Sequence, residues 1–181
     1  MFDFRRGVQL EDMRAHGGDS ARLHFALAAV AERQNDQVTA DDEMERAIKL
    51  EPNEPRWRHE RTLVRARRLL RAEASRDELA AFEPELAATV RASDDPNLFN
   101  SAAWFYGKTG KAAAGLPLAR RAVEARPENG SFLDTLALLL YQSGKRAEAV
   151  AAQEEALSRY PDRAVPAGML ERLALYRESA H

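Results

Sequence analysis

One short phrase, an alanine followed five positions later by a proline, recurs along the chain. It occurs at Ala47–Pro52, Ala122–Pro127 and Ala156–Pro161, and the last two prolines lie 34 residues apart. Each phrase ends a stretch whose pattern indicates two helices separated by a polar turn. Self-similarity at a period of about 20–50 residues is the signature of repeat architectures, in which each unit packs on its neighbours. The phrase therefore predicts an array of helix–turn–helix repeats.

The clearest repeat runs from Gly130 to Pro161. Its first helix has one apolar face at helical spacing, formed by Leu133, Leu136, Ala137 and Leu140. Gly144 lies in the polar break, and the second helix carries small residues at Ala149, Ala152 and Ala156. Because small side chains let two helices approach closely, we expect Leu136 and Leu140 to be buried between them.

The same frame divides most of the chain into repeats. It fits residues 96–129 closely and 21–54 more loosely, because His24 takes the place of the first large apolar residue. The stretch 55–95 is longer and irregular, with arginines at apolar positions. The predicted segments are an N-terminal segment or truncated repeat at 1–20, repeats at 21–54, 55–95, 96–129 and 130–163, and a capping helix with tail at 164–181.

The two ends are expected to carry single helices. A short helix is predicted over residues 8–16, stopped by Gly17 and Gly18. Residues 166–177 form an amphipathic pattern with Met169, Leu170, Leu173 and Tyr176 on one face. Repeat arrays need such a helix to cover the last exposed apolar face.

Composition supports an all-α chain and excludes several chemistries. Alanine and leucine are abundant, and both favour helices. There is no cysteine, which excludes disulfide scaffolds, thiolate zinc sites and thiol nucleophiles and is compatible with a reducing cytoplasm. The net charge of -2 gives no global attraction to nucleic acid or anionic membrane. No apolar stretch has the length of a membrane span, so we predict a cytoplasmic protein without membrane contact.

The repeat frame resembles the tetratricopeptide repeat, in its bacterial type: a large residue, leucine and a small residue at helical spacing, then two alanines and a proline within 34 residues. The likeness covers about residues 21–163. It implies an α-solenoid of helix–turn–helix repeats with terminal capping helices. It also implies a non-catalytic scaffold or adaptor that holds a peptide or partner helix in a concave groove lined by the first helices.

Carried over by position, the resemblance assigns groove residues to each first helix. In the second, third and fourth repeats they are His59, Leu63, Asn97, Asn100, Ser101, Trp104, Lys108, Ser131, Asp134, Thr135, Leu138 and Tyr141. Trp104 is one step around the helix from the small core position Ala103, which directs it toward the groove or toward the neighbouring repeat. An aromatic anchor is typical of binding hot spots.

Catalytic, cofactor and metal sites are not predicted. Gly110 and Lys111 invite a phosphate-loop interpretation, but the spacing puts Phe105 where the earlier glycine is required and Ala112 where serine or threonine is required. The histidines do not fall three or four residues apart, so no helix presents a two-histidine metal face. We therefore expect a protein that is not an enzyme and carries no cofactor.

Arginines are concentrated at the start of the irregular repeat, at Arg56, Arg58, Arg61 and Arg65. One interpretation is charge pairing with the acidic helix that precedes them. The alternatives are a patch for an acidic protein partner and, less favoured, a nucleic-acid surface, since the arginines point all round the helix.

The function predicted from these patterns is protein–protein interaction. The partner is expected to be a protein or peptide, and an acidic partner is one of the alternatives that the arginines leave open. The alternatives are a regulatory region of a larger bacterial multidomain enzyme and arginine-mediated nucleic-acid binding. The pattern leaves the oligomeric state open.

Overall fold

The computed structural model describes residues 19–161, 165–166 and 168–178, and within them the secondary structure is helical throughout. The nine helices of this described part are α1 Ala21–Arg33, α2 Gln37–Leu50, α3 Pro55–Arg71, α4 Arg76–Arg91, α5 Pro96–Lys108, α6 Ala112–Ala125, α7 Gly130–Gln142, α8 Arg146–Ser158 and α9 Met169–Glu178. The predicted all-α fold of the helical-repeat, or α-solenoid, class is confirmed. The helix predicted over residues 8–16 lies outside the described residues.

Polar residues set the helix starts, because the first amides of a helix lack internal partners. The side chain of Ser20 accepts from the Leu23 amide, and that of Asp36 accepts from the Thr39 amide. Asn129 caps α7 in the same way. Gly110 and Gly144, in the predicted turns, have φ values of 74° and 76°, a left-handed conformation that glycine adopts without steric cost.

The chain divides into two compact units, Met1–Val64 and Arg65–His181. The boundary falls inside α3, within the stretch that the sequence marks as irregular. In the first unit, α1 and α2 form an antiparallel pair. Its core contains Ala21, Ala47 and Trp57, with Phe25 packed against them at 5.2 Å between ring centroids.

In the second unit, α5 pairs with α6, α7 pairs with α8, and α9 packs on α7 and α8. Alanines lie at the close approaches, and Ala137, Ala149 and Ala156 are fully buried as predicted. Leu140 is also buried, whereas Leu136 is only partly buried and lies at the edge of two clusters. The expectation for Leu136 was therefore wrong.

The fully buried leucine of α7 is Leu139, which reaches between Ala103 of α5 and Ala119 of α6. It takes this role because α7 packs on its own partner α8 and also on the preceding pair. The sequence pattern of a single helix pair predicts one apolar face for α7, the face toward α8. Because α7 also packs on α5 and α6, a second face of this helix is buried.

Helix α9, the last of the described helices, packs on α7 and α8 with Met169, Leu173 and Tyr176, all of them buried. The prediction that Leu170 shares this face was wrong, since it is 62% exposed. Tyr176 stacks on Tyr141 of α7, with ring centroids 4.5 Å apart. A half-buried ion pair between Arg172 and Asp134 adds a second link between these helices.

Candidate partner-binding surface

Helix α5 places four of the predicted groove residues on adjoining positions of its surface. Asn100, Ser101, Trp104 and Lys108 are separated by one, three and four residues, so they lie on one side of the helix. Pro96 opens the helix at its first turn, and the Asp95 carboxylate caps it. The opposite side is buried through Phe99, Ala103 and Tyr106. The core thus fixes which residues α5 turns outward.

Trp104 is partly exposed, in contrast with the other tryptophan of the chain. Trp57 is buried, and its indole N–H donates to Glu51 at 2.8 Å. In the described part of the chain, no acceptor faces the indole N–H of Trp104. Its ring meets the ammonium group of Lys108, 5.4 Å from the ring centroid. Tryptophan and a cation in this arrangement attract each other and together present an amphipathic surface.

The side-chain amide of Asn100 lies one turn before Trp104. Its Oδ1 atom is buried and has no hydrogen-bond partner among the described residues. A buried polar atom without a partner costs free energy, and native structures rarely retain one without a reason. Among the described residues, the Oδ1 atom of Asn100 therefore keeps unused hydrogen-bonding capacity beneath this surface.

Helix α7 reaches this surface at Leu138. A Cβ atom added to Gly107 of α5 would lie 3.2 Å from Cδ2 of Leu138, and Gln142 donates to the Gly107 carbonyl at 3.0 Å. The missing side chain at Gly107 thus allows α5 and α7 to come together. Leu138, partly buried, adds an apolar neighbour beside this surface. We call Asn100, Ser101, Trp104, Lys108 and Leu138 the α5–α7 surface.

Other predicted groove residues of α7 are engaged within the fold. Asp134 binds Arg172 through both carboxylate oxygens and accepts from Gln153 at 2.8 Å. Thr135 is buried and donates to the Ser131 carbonyl, while the Ser131 hydroxyl shares a hydrogen bond with Tyr160. Tyr141 is stacked on Tyr176. Sequence spacing alone missed these partners because α9 supplies two of them from 38 and 35 residues away.

The remaining groove predictions lie elsewhere. Asn97 is exposed, and its side chain bonds to Asp95 and Arg126. His59 and Leu63 are partly buried on the part of α3 that belongs to the first unit. The α5–α7 surface belongs entirely to the second unit.

The arginines predicted as a patch for an acidic partner mostly have internal partners. Arg61 pairs with Glu45 of α2, and Arg65 pairs with Glu85 of α4. Arg56 lies over the rings of Phe25 and Trp57, at 5.6 and 5.3 Å from their centroids. Arg58 is exposed. Pairing with the preceding acidic helix is thus confirmed for Arg61.

A polar cluster in the first unit was not predicted. The His24 side chain is buried between two carboxylates, with Nδ1 facing Glu43 and Nε2 lying 2.5 Å from Oδ1 of Asp19. Burial lowers the pKa of His24, but hydrogen bonds to Glu43 and Asp19 and their negative charges outweigh it, so the pKa is raised. The signal in the sequence was His24 at an apolar helix position, followed by an acidic helix.

This cluster makes stability depend on pH. A group whose pKa is higher in the folded than in the unfolded protein stabilises the fold. This stabilisation is complete at a pH below the unfolded-state pKa, and it is lost as the pH rises through the folded-state pKa. We therefore expect the free energy of unfolding of the wild type to fall from about pH 6.5 upward relative to that of His24→Gln. Urea denaturation of both proteins between pH 5.5 and 9 measures the difference. A difference that grows with pH contradicts the assignment.

Comparisons with known proteins agree with this architecture. Residues 131–163 match the tetratricopeptide repeat family. The fold is similar to that of PilW, described as a widely conserved type IV pilus biogenesis factor, with a TM-score of 0.71 and 13% identity over 98% of this chain and 84% of that one. A mutant of MamA gives a TM-score of 0.62 and 15% identity, over 94% and 90% of the two chains. A comparison with curated proteins gives no match.

A third solved structure, a tetratricopeptide repeat domain, gives a TM-score of 0.52 and 12% identity over 93% of this chain and 50% of that one. One stretch of the chain thus matches the tetratricopeptide repeat family, and the fold of the described residues is the helical-repeat fold of these solved structures. Among the described residues, no helix combines the length and apolarity needed to cross a membrane. In the same residues, no group of three or more metal-binding side chains is placed to hold an ion.

Proposed function

We propose that this chain is a non-catalytic adaptor that binds an extended peptide or a partner helix on the α5–α7 surface. The observation that carries the proposal is the partly exposed indole of Trp104, whose N–H has no acceptor among the described residues, beside Asn100, whose Oδ1 atom has no partner among them either. Interfaces typically combine an aromatic anchor with nearby polar groups that fix the ligand's orientation.

Each residue has a distinct role in this proposal. Trp104 contributes contact area and donates its indole N–H to a ligand carbonyl. The amide of Asn100 bonds to the ligand backbone, and Leu138 extends the apolar area. Lys108 contributes the cation, which favours a ligand with an acidic side chain next to its apolar anchor.

The acidic preference now rests on Lys108 rather than on the arginine patch. Arg61 and Arg65 have carboxylate partners within the fold, which reduces the charge they offer to a ligand. Nucleic acid is correspondingly less favoured, because phosphate binding needs several free cations on one face.

The proposal is tested by selecting binders from a displayed library of random peptides and measuring their affinity for the purified chain. Asn100→Ala combined with Trp104→Ala is expected to weaken binding by about thirtyfold or more, the effect of losing a hot spot worth about 2 kcal/mol. Circular dichroism should show the same helical signal, because the α5–α7 surface lies outside the fully buried core.

Arg120→Ala serves as the matched control, since it changes an exposed residue of the second helix of the same pair. We expect it to leave the affinity within about twofold. Binding that survives the double change but is lost in Arg120→Ala would place the site on the second helices and contradict the proposal.

We also propose a cytoplasmic location, supported by the lack of cysteine in the whole sequence. Fractionation of the native cells with an antibody against the chain tests it. Recovery in a membrane or extracytoplasmic fraction would contradict it.

A further inference from the structure

A small pocket opens in the first unit, beside the polar cluster of His24. Its volume is about 310 Å³, and the described residues that line it are Asp19, His24, Arg46, Lys49 and Leu50. The start of α1 and the last turns of α2 contribute these residues. Sites for small ligands begin at about this size and combine apolar walls with a few placed polar groups.

The charges of the pocket are mostly positive. Both ring nitrogens of His24 face carboxylates, an arrangement that needs a proton on each nitrogen and makes the ring a cation. Arg46 makes one long contact to Glu43, at 3.4 Å, and its side chain is 60% exposed. In the described residues, no acidic group lies within ion-pair distance of Lys49. Among the described residues at this pocket, these three cations outnumber the two acids, Asp19 and Glu43.

An apolar wall lies next to these cations. Leu50, the last residue of α2, is 43% exposed although it is a large hydrophobic residue. An exposed leucine alone needs no explanation. Beside Lys49 and Arg46 it adds an apolar contact for the carbon skeleton of an anionic ligand.

We propose that this pocket binds a carboxylate group, carried by a small organic acid or by an acidic residue or the C-terminus of a peptide. One carboxylate oxygen contacts Lys49 and the other contacts the Arg46 guanidinium, while the adjoining carbon atoms lie on Leu50. This site is independent of the α5–α7 surface, which belongs to the other unit.

A carboxylate fits the pocket better than a phosphate. Asp19 already places a carboxylate oxygen 2.5 Å from Nε2 of His24, so the ring accommodates this group at its outer edge. The surplus of one positive charge among the described residues matches the single charge of one carboxylate group, whereas a phosphate dianion would bring two charges to the same place, where Asp19 and Glu43 repel them.

Asp19 opposes binding in this proposal, because its negative charge lies in the same pocket and repels a ligand carboxylate. Its side chain is 75% exposed, so it can turn into solvent when a ligand carboxylate enters. Exposed ion pairs contribute little, and loss of the contact between Asp19 and His24 is therefore not costly. Removal of the Asp19 charge should strengthen binding, a result that a purely structural role for the cluster does not give.

The test uses the whole chain and acetate and succinate as probes, with chloride holding the ionic strength constant. NMR resonances of the His24 imidazole and the Lys49 side chain are expected to shift saturably, with a Kd in the millimolar range. Phosphate should shift them less. Shifts that do not saturate, or that chloride reproduces, would overturn the proposal.

Two variants give opposite expectations. Asp19→Asn should lower the Kd of succinate by about two- to fivefold, and Lys49→Gln should raise it by a similar factor, the range that one exposed ion pair supplies. Lys145→Gln, an exposed lysine of the other unit, is the matched control and should leave the Kd unchanged. Equal affinity in all three variants would overturn the proposal even if the wild type binds.

Blocked peptides distinguish the two sources of the carboxylate. Three peptides are compared. The first has blocked termini and one glutamate, the second has blocked termini and glutamine in place of the glutamate, and the third is the glutamine peptide with a free C-terminal carboxylate. Tighter binding of either acidic peptide than of succinate assigns the site to a peptide partner. Tighter binding of succinate assigns it to a small acid, and loss of all binding contradicts the proposal.

Discussion

Arg172→Ala is expected to lower the free energy of unfolding by about 3 kcal/mol and to release helix α9 from the end of the array. Arg172 binds both oxygens of Asp134, and the side chains are only 24% and 13% exposed. Removing one member of a buried ion pair leaves the other charged and desolvated, which costs about 3–5 kcal/mol. The lower end applies because solvent reaches Arg172. Urea denaturation measures the change, and amide hydrogen exchange over residues 169–178 locates it.

The neighbouring ion pair on α9 provides the matched control. Arg177 contacts Glu154 at 2.6 Å, but the two side chains are 58% and 49% exposed. Arg177→Ala should therefore cost less than about 1 kcal/mol. A double-mutant cycle of Asp134→Ala with Arg172→Ala isolates their coupling. Equal losses in Arg172→Ala and Arg177→Ala, or no measurable coupling, would refute the link between α7 and α9.

Leu139→Ala is expected to lower the free energy of unfolding by about 2–5 kcal/mol, the range for truncating a fully buried leucine. Leu139 has no exposed surface and fills the space between Ala103 and Ala119. Its Cδ2 atom also lies close to Gly107 and Gly115, which have no side chains to refill a cavity. Thermal and urea denaturation, followed by circular dichroism, measure the loss.

Leu136→Ala is the comparison that tests the register of α7. The same chemical change at a partly buried position should cost less than at Leu139, because the cavity opens toward solvent. A larger loss at Leu136 than at Leu139 would contradict the packing described for this helix.

Local features of the sequence were enough to predict the helices and their turns. Alanine spacing, the prolines and the polar breaks predicted helix pairs, and Ala137, Ala149 and Ala156 are buried as expected. Ser75 and Glu78 have the three-residue spacing of a capping box, and the structure forms this box at the start of α4. These features depend on residues within one or two turns of each other, so a linear pattern contains them.

The availability of the predicted groove residues could not be predicted in the same way. Spacing put Asn100, Trp104 and Asp134 on the first helices, and all three are there. Only the tertiary structure shows that Asp134 accepts hydrogen bonds from Arg172, while Asn100 and Trp104 have no hydrogen-bond partner among the described residues. Whether a predicted groove residue is available to a ligand depends on which side chain, distant in sequence, lies next to it in the fold.

The sequence by itself determined the repeat class, the helix starts and turns, and the small residues at the helix contacts, because short-range sterics and hydrogen bonding fix them. Tertiary structure decided the second apolar face of α7 at Leu139, the polar cluster around His24, and the ion pair that attaches α9. Each of these includes a contact between groups 19 or more residues apart. Their energies depend on burial and on approach distances that exist only once the helices have packed.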